Sequence, residues 1–141
     1  YEYYMLNKPA GVGSATSDRH EQTVTELIRD SKRDDLFPVG RLDKDTEGLL
    51  LITNNGELSH RLLSPRKHVD KIYFARIDGR VTQEDVDSFA RGLDIGDEKK
   101  TLPADLHICT SDGISEVMLT IREGRFHQVK RMFQAVGKKV I

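Results

Sequence analysis

The chain has no tryptophan, a single cysteine, 6% aromatic residues and a net charge of −1 from 22 basic and 23 acidic residues. Each scarcity closes a class. Cys109 has no second cysteine to pair with, so the fold does not rest on an internal disulfide, which fits a reducing cytoplasm. No apolar run approaches the ~20 residues of a membrane-spanning helix, and no signal-peptide pattern opens the chain. His60, His68, His107 and His127 lack the spacing of zinc ligands, so no metal site is read. Repeats, low-complexity tracts and Ser/Gly linkers are also missing. The 141 residues are therefore expected to form one domain, 1–141, burying about two-thirds of its unfolded surface. The abrupt ends at Tyr1 and Val140-Ile141 are expected to mark a piece of a longer protein.

What is present is a series of short periodic segments. Tyr3 to Asn7 reads as a strand closed by the breakers Lys8-Pro9-Ala10-Gly11. Thr23-Val24-Thr25-Glu26 has the form of a capping box and predicts a short helix through Arg29. Strands are predicted for Phe37 to Arg41, Leu49 to Thr53, Lys71 to Asp78, about Ala104 to Thr110, and Glu116 to Ile121. In Lys71 to Asp78 both faces carry apolar groups, which predicts a central strand. Helices are predicted for Glu57 to Leu63, for Thr82 to Arg91 with Thr82 as N-cap and Gly92 as stop, and for about Phe126 to Val136. Strands with hairpin turns and interspersed short helices give an α+β fold with a mostly antiparallel sheet.

The chemistry concentrates in Val39 to Thr53, VGRLDKDTEGLLLIT. Arg41, Asp43, Lys44, Asp45 and Glu47 cannot all be buried, because unpaired buried charge costs several kcal/mol. A calcium loop would place ligands at Asp43, Asp45 and Glu47 with Gly48 at its sixth position. Its twelfth position should be a bidentate Glu and is Asn54, and LLLIT reads as a strand where a helix should follow. A plain surface turn or a catalytic carboxylate are the other two readings.

Charge is unevenly distributed despite its small sum. Arg61, Arg66, Lys67, Lys71 and Arg76 accompany one acid, Asp70; Arg122, Arg125, Lys130, Arg131, Lys138 and Lys139 accompany Glu123. Acids gather between Glu84 and Glu98. Solvated helix faces would explain either basic cluster alone; together they suggest a basic face able to meet phosphates.

GRLDKDTEGLLLITNNG resembles the catalytic motif of the pseudouridine synthases, in the branch typified by the ribosomal small-subunit enzyme. YYMLNKPAG resembles the strand and turn that open the catalytic domain of that family. Lys71-Ile72-Tyr73 resembles its second motif, and LTIREGRFHQVKRM, Leu119 to Met132, its third. The resemblance runs in order from Tyr3 to the last residue, without the N-terminal S4-type module and the further C-terminal strand region many relatives carry. It implies an α+β catalytic fold with a central cleft, Asp43 as the catalytic aspartate, Tyr73 as the residue against the target base, and Arg125 as the arginine pairing with Asp43. RNA contacts are expected from Arg41, Arg66, Lys67, Lys71, His127, Lys130 and Arg131.

Converting uridine to pseudouridine breaks the bond from ribose C1′ to N1 and rejoins C1′ to C5 of the same uracil. Nothing is oxidised or phosphorylated, so no cofactor is expected. An ionised Asp43 could attack C1′, attack C6, or draw off the ribose 2′ proton; a neighbouring cation would keep it ionised. Tyr73 offers a stacking face and a hydroxyl for the C5 proton. If the strand entering the loop runs through Arg41, that residue shares a face with Asp43 and could fill the slot of a flipped-out uridine, or else brace Asp45 or Glu47. The expected partner is ribosomal RNA, most of all small-subunit RNA, or a ribosomal assembly intermediate, met by a monomer with no membrane. Rival readings are a large-subunit enzyme of the same family, a non-catalytic RNA-binding module, and a glycosidase pairing Asp43 with Asp45 or Glu47. The last wants aromatic sugar platforms, and the chain has no tryptophan.

Overall fold

The structure, a computed structural model, describes residues 1–16, 22–28, 34–67 and 69–141. The chain divides into two compact units, Tyr1–Lys67 and His68–Ile141.

In the first unit, β1 (Tyr3–Lys8) and β2 (Phe37–Pro38) flank β3 (Gly48–Thr53) in an antiparallel sheet of order β1-β3-β2. Met5 lies opposite Leu51 and Leu6 opposite Leu50. Side chains alternate across the strands, so Leu50 and Ile52 turn inward onto Val12, Val24 and Leu36, while Met5 and Leu49 face outward. The Asn55 side chain accepts from Leu58 N at 3.1 Å and caps α1 (Gly56–Leu63). A 3-10 turn over Pro65–Lys67 follows, with Arg66 and Lys67 exposed.

Two sequence expectations change here. The helix expected from Thr23 is a 3-10 turn, Val24–Leu27. Thr23 is buried, its hydroxyl donating to Thr16 O at 3.4 Å and sharing a 3.3 Å hydrogen bond with Thr25 Oγ1, and the capping bond is not made; Arg29, the expected end, lies outside the described residues. The strand expected through Arg41 stops at Pro38, with one further ladder bond from Val39 N to Leu51 O at 2.7 Å. Gly40 then takes φ +83°, a left-handed conformation that ends the extended run. Arg41 and Asp43 are therefore loop residues, and the alternation rule for strands does not govern them.

In the second unit, β4 (Lys71–Asp78), β5 (Asp105–Thr110), β6 (Ile114–Ile121) and β7 (Lys139–Val140) form an antiparallel sheet of order β5-β6-β4-β7. β4 is interior, as its composition suggests. One face of the sheet is packed: Ala75 and Ile77 of β4 and Val117, Leu119 and Ile121 of β6 meet α2 (Gln83–Arg91) and α3 (Gln128–Ala135). Phe89 of α2 and Phe133 of α3 are fully buried, ring centroids 4.9 Å apart and tilted by 51°. Such a pair adds about 0.5–1.5 kcal/mol beyond its area burial. The other face leaves Ile72 and Phe74 exposed.

α2 opens at Thr82, whose N donates to Asp85 Oδ2 at 2.9 Å, and Lys138 Nζ pairs with the same oxygen at 3.0 Å. It closes at Gly92, φ +91°, where an added Cβ would lie 2.4 Å from Thr101 O. α3 begins two residues later than its hydrophobic spacing predicts, and Arg125-Phe126-His127 form a loop before it. The basic cluster of this unit is also rearranged by folding. Arg122 reaches Asp70 and Asp105, Arg125 reaches Glu123 and Asp97, Arg131 reaches Asp97, and Lys138 reaches Asp85. The acids that looked segregated in sequence neutralise most of these bases.

Candidate active site

Asp43 sits in the first unit, half-buried, between two residues whose backbones are tied down. On one side Ser14 clamps Leu42, its Oγ donating to Leu42 O at 2.7 Å and accepting from Leu42 N at 3.1 Å. On the other, Lys44 O accepts from Gly11 N at 2.8 Å and from Lys8 Nζ at 3.0 Å. Thr46 N donates to Asp43 O at 2.9 Å and closes the turn itself. The carboxylate-bearing residue is thus held on three sides by backbone contacts.

Lys8 is the residue that sequence reasoning missed. It was legible only as part of a breaker-rich turn, yet it is fully buried. Its ammonium donates to Pro9 O and Lys44 O, while Asp45, Asp43 and Glu47 surround it with negative charge. Burial pushes its pKa down, and the three acids push the other way. A buried cation explains why so many acids share one short loop. The same charge weighs against the calcium reading, since the three acids proposed as ligands already face the Lys8 ammonium. Among the described residues, no group of three or more His, Cys, Asp or Glu is placed to hold a metal.

Tyr73 and Lys71 belong to the second unit, two residues apart on β4 and so on the face that carries Ala75 and Ile77. Lys71 is half-buried, and burial lowers its pKa against the opposing field of Glu123. Its Nζ lies 3.6 Å from the point where a Cβ on Gly124 would stand, an ordinary van der Waals distance, so Lys71 reaches the Gly124 backbone.

Arg125 is fixed by its own unit. Its Nε donates to Glu123 Oε1 at 2.9 Å, Nη1 to Lys99 O at 2.6 Å and Nη2 to Lys100 O at 2.8 Å, with Asp97 3.5 Å from Nη1. Glu123 is buried, and its other oxygen accepts from Leu102 N at 2.7 Å and Gln128 Nε2 at 3.0 Å. Gln128 in turn accepts from Arg125 N at 3.0 Å. One buried carboxylate therefore organises the whole loop. The sequence signal for it was a lone acid amid six bases.

The other expected RNA contacts fall into two groups. Arg41, Arg66 and Lys67 are exposed in the first unit, and His127 and Lys130 are half-buried around the start of α3. Arg131 is committed internally: Nη1 and Nη2 meet Asp97 Oδ1 and Oδ2 at 2.9 and 3.1 Å, Nε donates to Phe126 O, and Nη1 also donates to Ile95 O.

Comparison with known proteins gives this arrangement its context. Residues 2–135 match the RNA pseudouridylate synthase family. The chain is 50% identical over 141 residues to the uncharacterized RNA pseudouridine synthase YtzG of Bacillus subtilis, and 44% identical over 140 residues to ribosomal small subunit pseudouridine synthase A of Escherichia coli. Each alignment covers 99% of this chain and 59% of the relative. A crystal structure of a pseudouridylate synthase superposes with a TM-score of 0.89 at 39% identity, over 99% of this chain and 59% of that one. A human RNA pseudouridylate synthase domain protein, at 21% identity and a TM-score of 0.62, covering 99% of this chain and 63% of that one, shares the fold. The chain belongs to the RNA pseudouridylate synthase family, whose members act on RNA, and it spans about three-fifths of the length of these curated relatives.

Proposed function

We propose that this chain isomerises a specific uridine to pseudouridine in ribosomal RNA, with small-subunit RNA as the target. The observation that carries the reading is the anchoring of Asp43 between Leu42 and Lys44, inside the segment that resembles the family's catalytic motif. Family membership and the 44% identity to a small-subunit enzyme support the choice of substrate. The match over residues 2–135 crosses both units, which supports treating them as one catalytic domain.

In this reading Asp43 supplies the ionised carboxylate and Tyr73 stacks on the uracil and relays the C5 proton to solvent once C1′ has moved from N1 to C5, while N1 takes up a proton from water. Substrate and product are isomers, so atoms and electrons balance with no co-reactant. Arg125, already paired with Glu123 and Asp97, is assigned to pair with Asp43 through the N–H donors those contacts leave. Three of its donors are already spent on Glu123, Lys99 O and Lys100 O, so it acts as a pre-positioned charge and not as a mobile side chain. Phosphate contacts are assigned to Arg66, Lys67, Lys71 and Lys130, with His127 beside them, since Arg131 is neutralised by Asp97. Arg41, exposed in the loop two residues before Asp43, is assigned an RNA contact, while the strand face it was expected to share with Asp43 is not formed. The partner is ribosomal RNA or an assembly intermediate, met in the cytoplasm by a monomer.

Tritium release from 5-tritiated uridine in ribosomal RNA fragments tests this. Wild type should release tritium from a small-subunit fragment, and Asp43→Asn should release it at least about a hundredfold more slowly while binding the fragment as tightly. Turnover by the variant near the wild-type rate would remove Asp43 from the mechanism. Release from large-subunit fragments alone would move the target within the same family.

A further inference from the structure

The loop that carries Arg125 holds one large apolar side chain that lies outside the core. Phe126 is 76% exposed and belongs to no hydrophobic cluster. Its ring lies on the imidazole of His127, centroids 3.9 Å apart and planes 19° from parallel. His127 itself has φ +47°, the single non-glycine residue with positive φ among those described. A residue other than glycine rarely takes this conformation, and it persists only where its surroundings enforce it.

The surroundings do enforce it. Phe126 O accepts from Arg131 Nε at 2.8 Å, and Arg131 is locked by its two-point contact with Asp97. Just before it, Arg125 N donates to Gln128, which Glu123 holds. The backbone on both sides of Phe126 is therefore rigid while its ring stands in solvent. A rigid, flat, apolar surface that loses little freedom on binding suits a flat apolar ligand. Basic residues around the loop, among them Lys130 and Lys71, add attraction for a polyanion.

We infer that Phe126, backed by His127, is a stacking platform for an unpaired nucleobase flanking the target uridine. The inference rests on RNA being the substrate and assigns a binding role to a residue outside the proposed chemistry. Stacking on an aromatic face needs no particular base, so the platform would hold a neighbour of the uridine and leave recognition of sequence to other contacts.

The chain contains no tryptophan, so Phe126→Trp creates a lone indole reporter. Its emission should be quenched by a ribosomal RNA fragment that wild type modifies. Quenching should shrink when one flanking nucleotide is made abasic. Phe126→Leu should weaken binding of the intact fragment about tenfold, as expected for loss of one base–aromatic stack, and raise KM with kcat nearly kept. On the fragment abasic at that position, wild type and Phe126→Leu should bind alike. If wild type binds and turns over RNA while Phe126→Leu binds it equally well, the platform is overturned and the enzymatic reading stands. Equal weakening on intact and abasic fragments at every flanking position also overturns it. A wild-type chain that binds no RNA overturns both.

Discussion

Arg125 Nε donates to Glu123 Oε1 at 2.9 Å, across only two residues of chain, from a half-buried cation to a buried acid. Glu123 simultaneously receives Leu102 N and Gln128 Nε2. A buried carboxylate that loses charge while its donors remain leaves them poorly matched. Glu123→Gln should therefore lower stability by about 1–3 kcal/mol in urea unfolding. It should also reduce kcat more than KM, because Arg125 loses its anchor; a change in KM alone would assign Glu123 to binding and not to positioning.

Lys8 fills the equivalent place in the first unit. Replacing it by methionine keeps the apolar stem and removes the donor to Pro9 O and Lys44 O. Expected are a loss of about 1–3 kcal/mol and a fall in turnover, because Lys44 is the residue after Asp43. Unchanged turnover with lowered stability would mean that the loop holds Asp43 without Lys8.

The Asp97 carboxyl is held below its ordinary value of 3.8, first by the hydrogen bond from Arg131, with the charges of Arg131 and Arg125 adding to it. A depressed acid contributes stability that is present above its unfolded pKa and lost as pH falls through its folded pKa. Asp97→Asn should thus melt below wild type at neutral pH. The gap in Tm should narrow as pH drops beneath about 3.8 and close once wild-type Asp97 is protonated. A gap independent of pH would mean that the carboxyl acts by shape alone.

RNA affinity should fall with salt despite a net charge of −1. If Arg66, Lys67, Lys71 and Lys130 each meet one phosphate, the slope of log K against log salt is about −2.8, at about −0.7 per single-strand contact. Lys67→Gln should make the slope shallower by about 0.7. A flat dependence measured by fluorescence anisotropy would exclude these bases from the interface.

Much of this was legible in the sequence. Alternation in Lys71 to Asp78 identified an interior strand, and the helix expected over about Phe126 to Val136 is α3, because both depend on neighbours within a few residues. Thr82 and Gly92 punctuated the chain for the same local reason. The motif around Asp43 was equally local.

What tertiary structure alone decided is how charge and strain are disposed. Lys8 looked like a turn residue and is buried because Lys44, thirty-six positions later, brings it a carbonyl and a ring of acids. Asp97 and Arg131 sit thirty-four positions apart in segments that read as opposite in sign, and folding turns them into a two-point ion pair. Thr23 had the spacing of a capping box, but burial against Thr16 and Thr25 gave its hydroxyl other partners. Periodicity and turn chemistry are set along the chain and can be read there. The partner of a charge or hydroxyl is set by what folding brings within about 3 Å, and no local pattern records it.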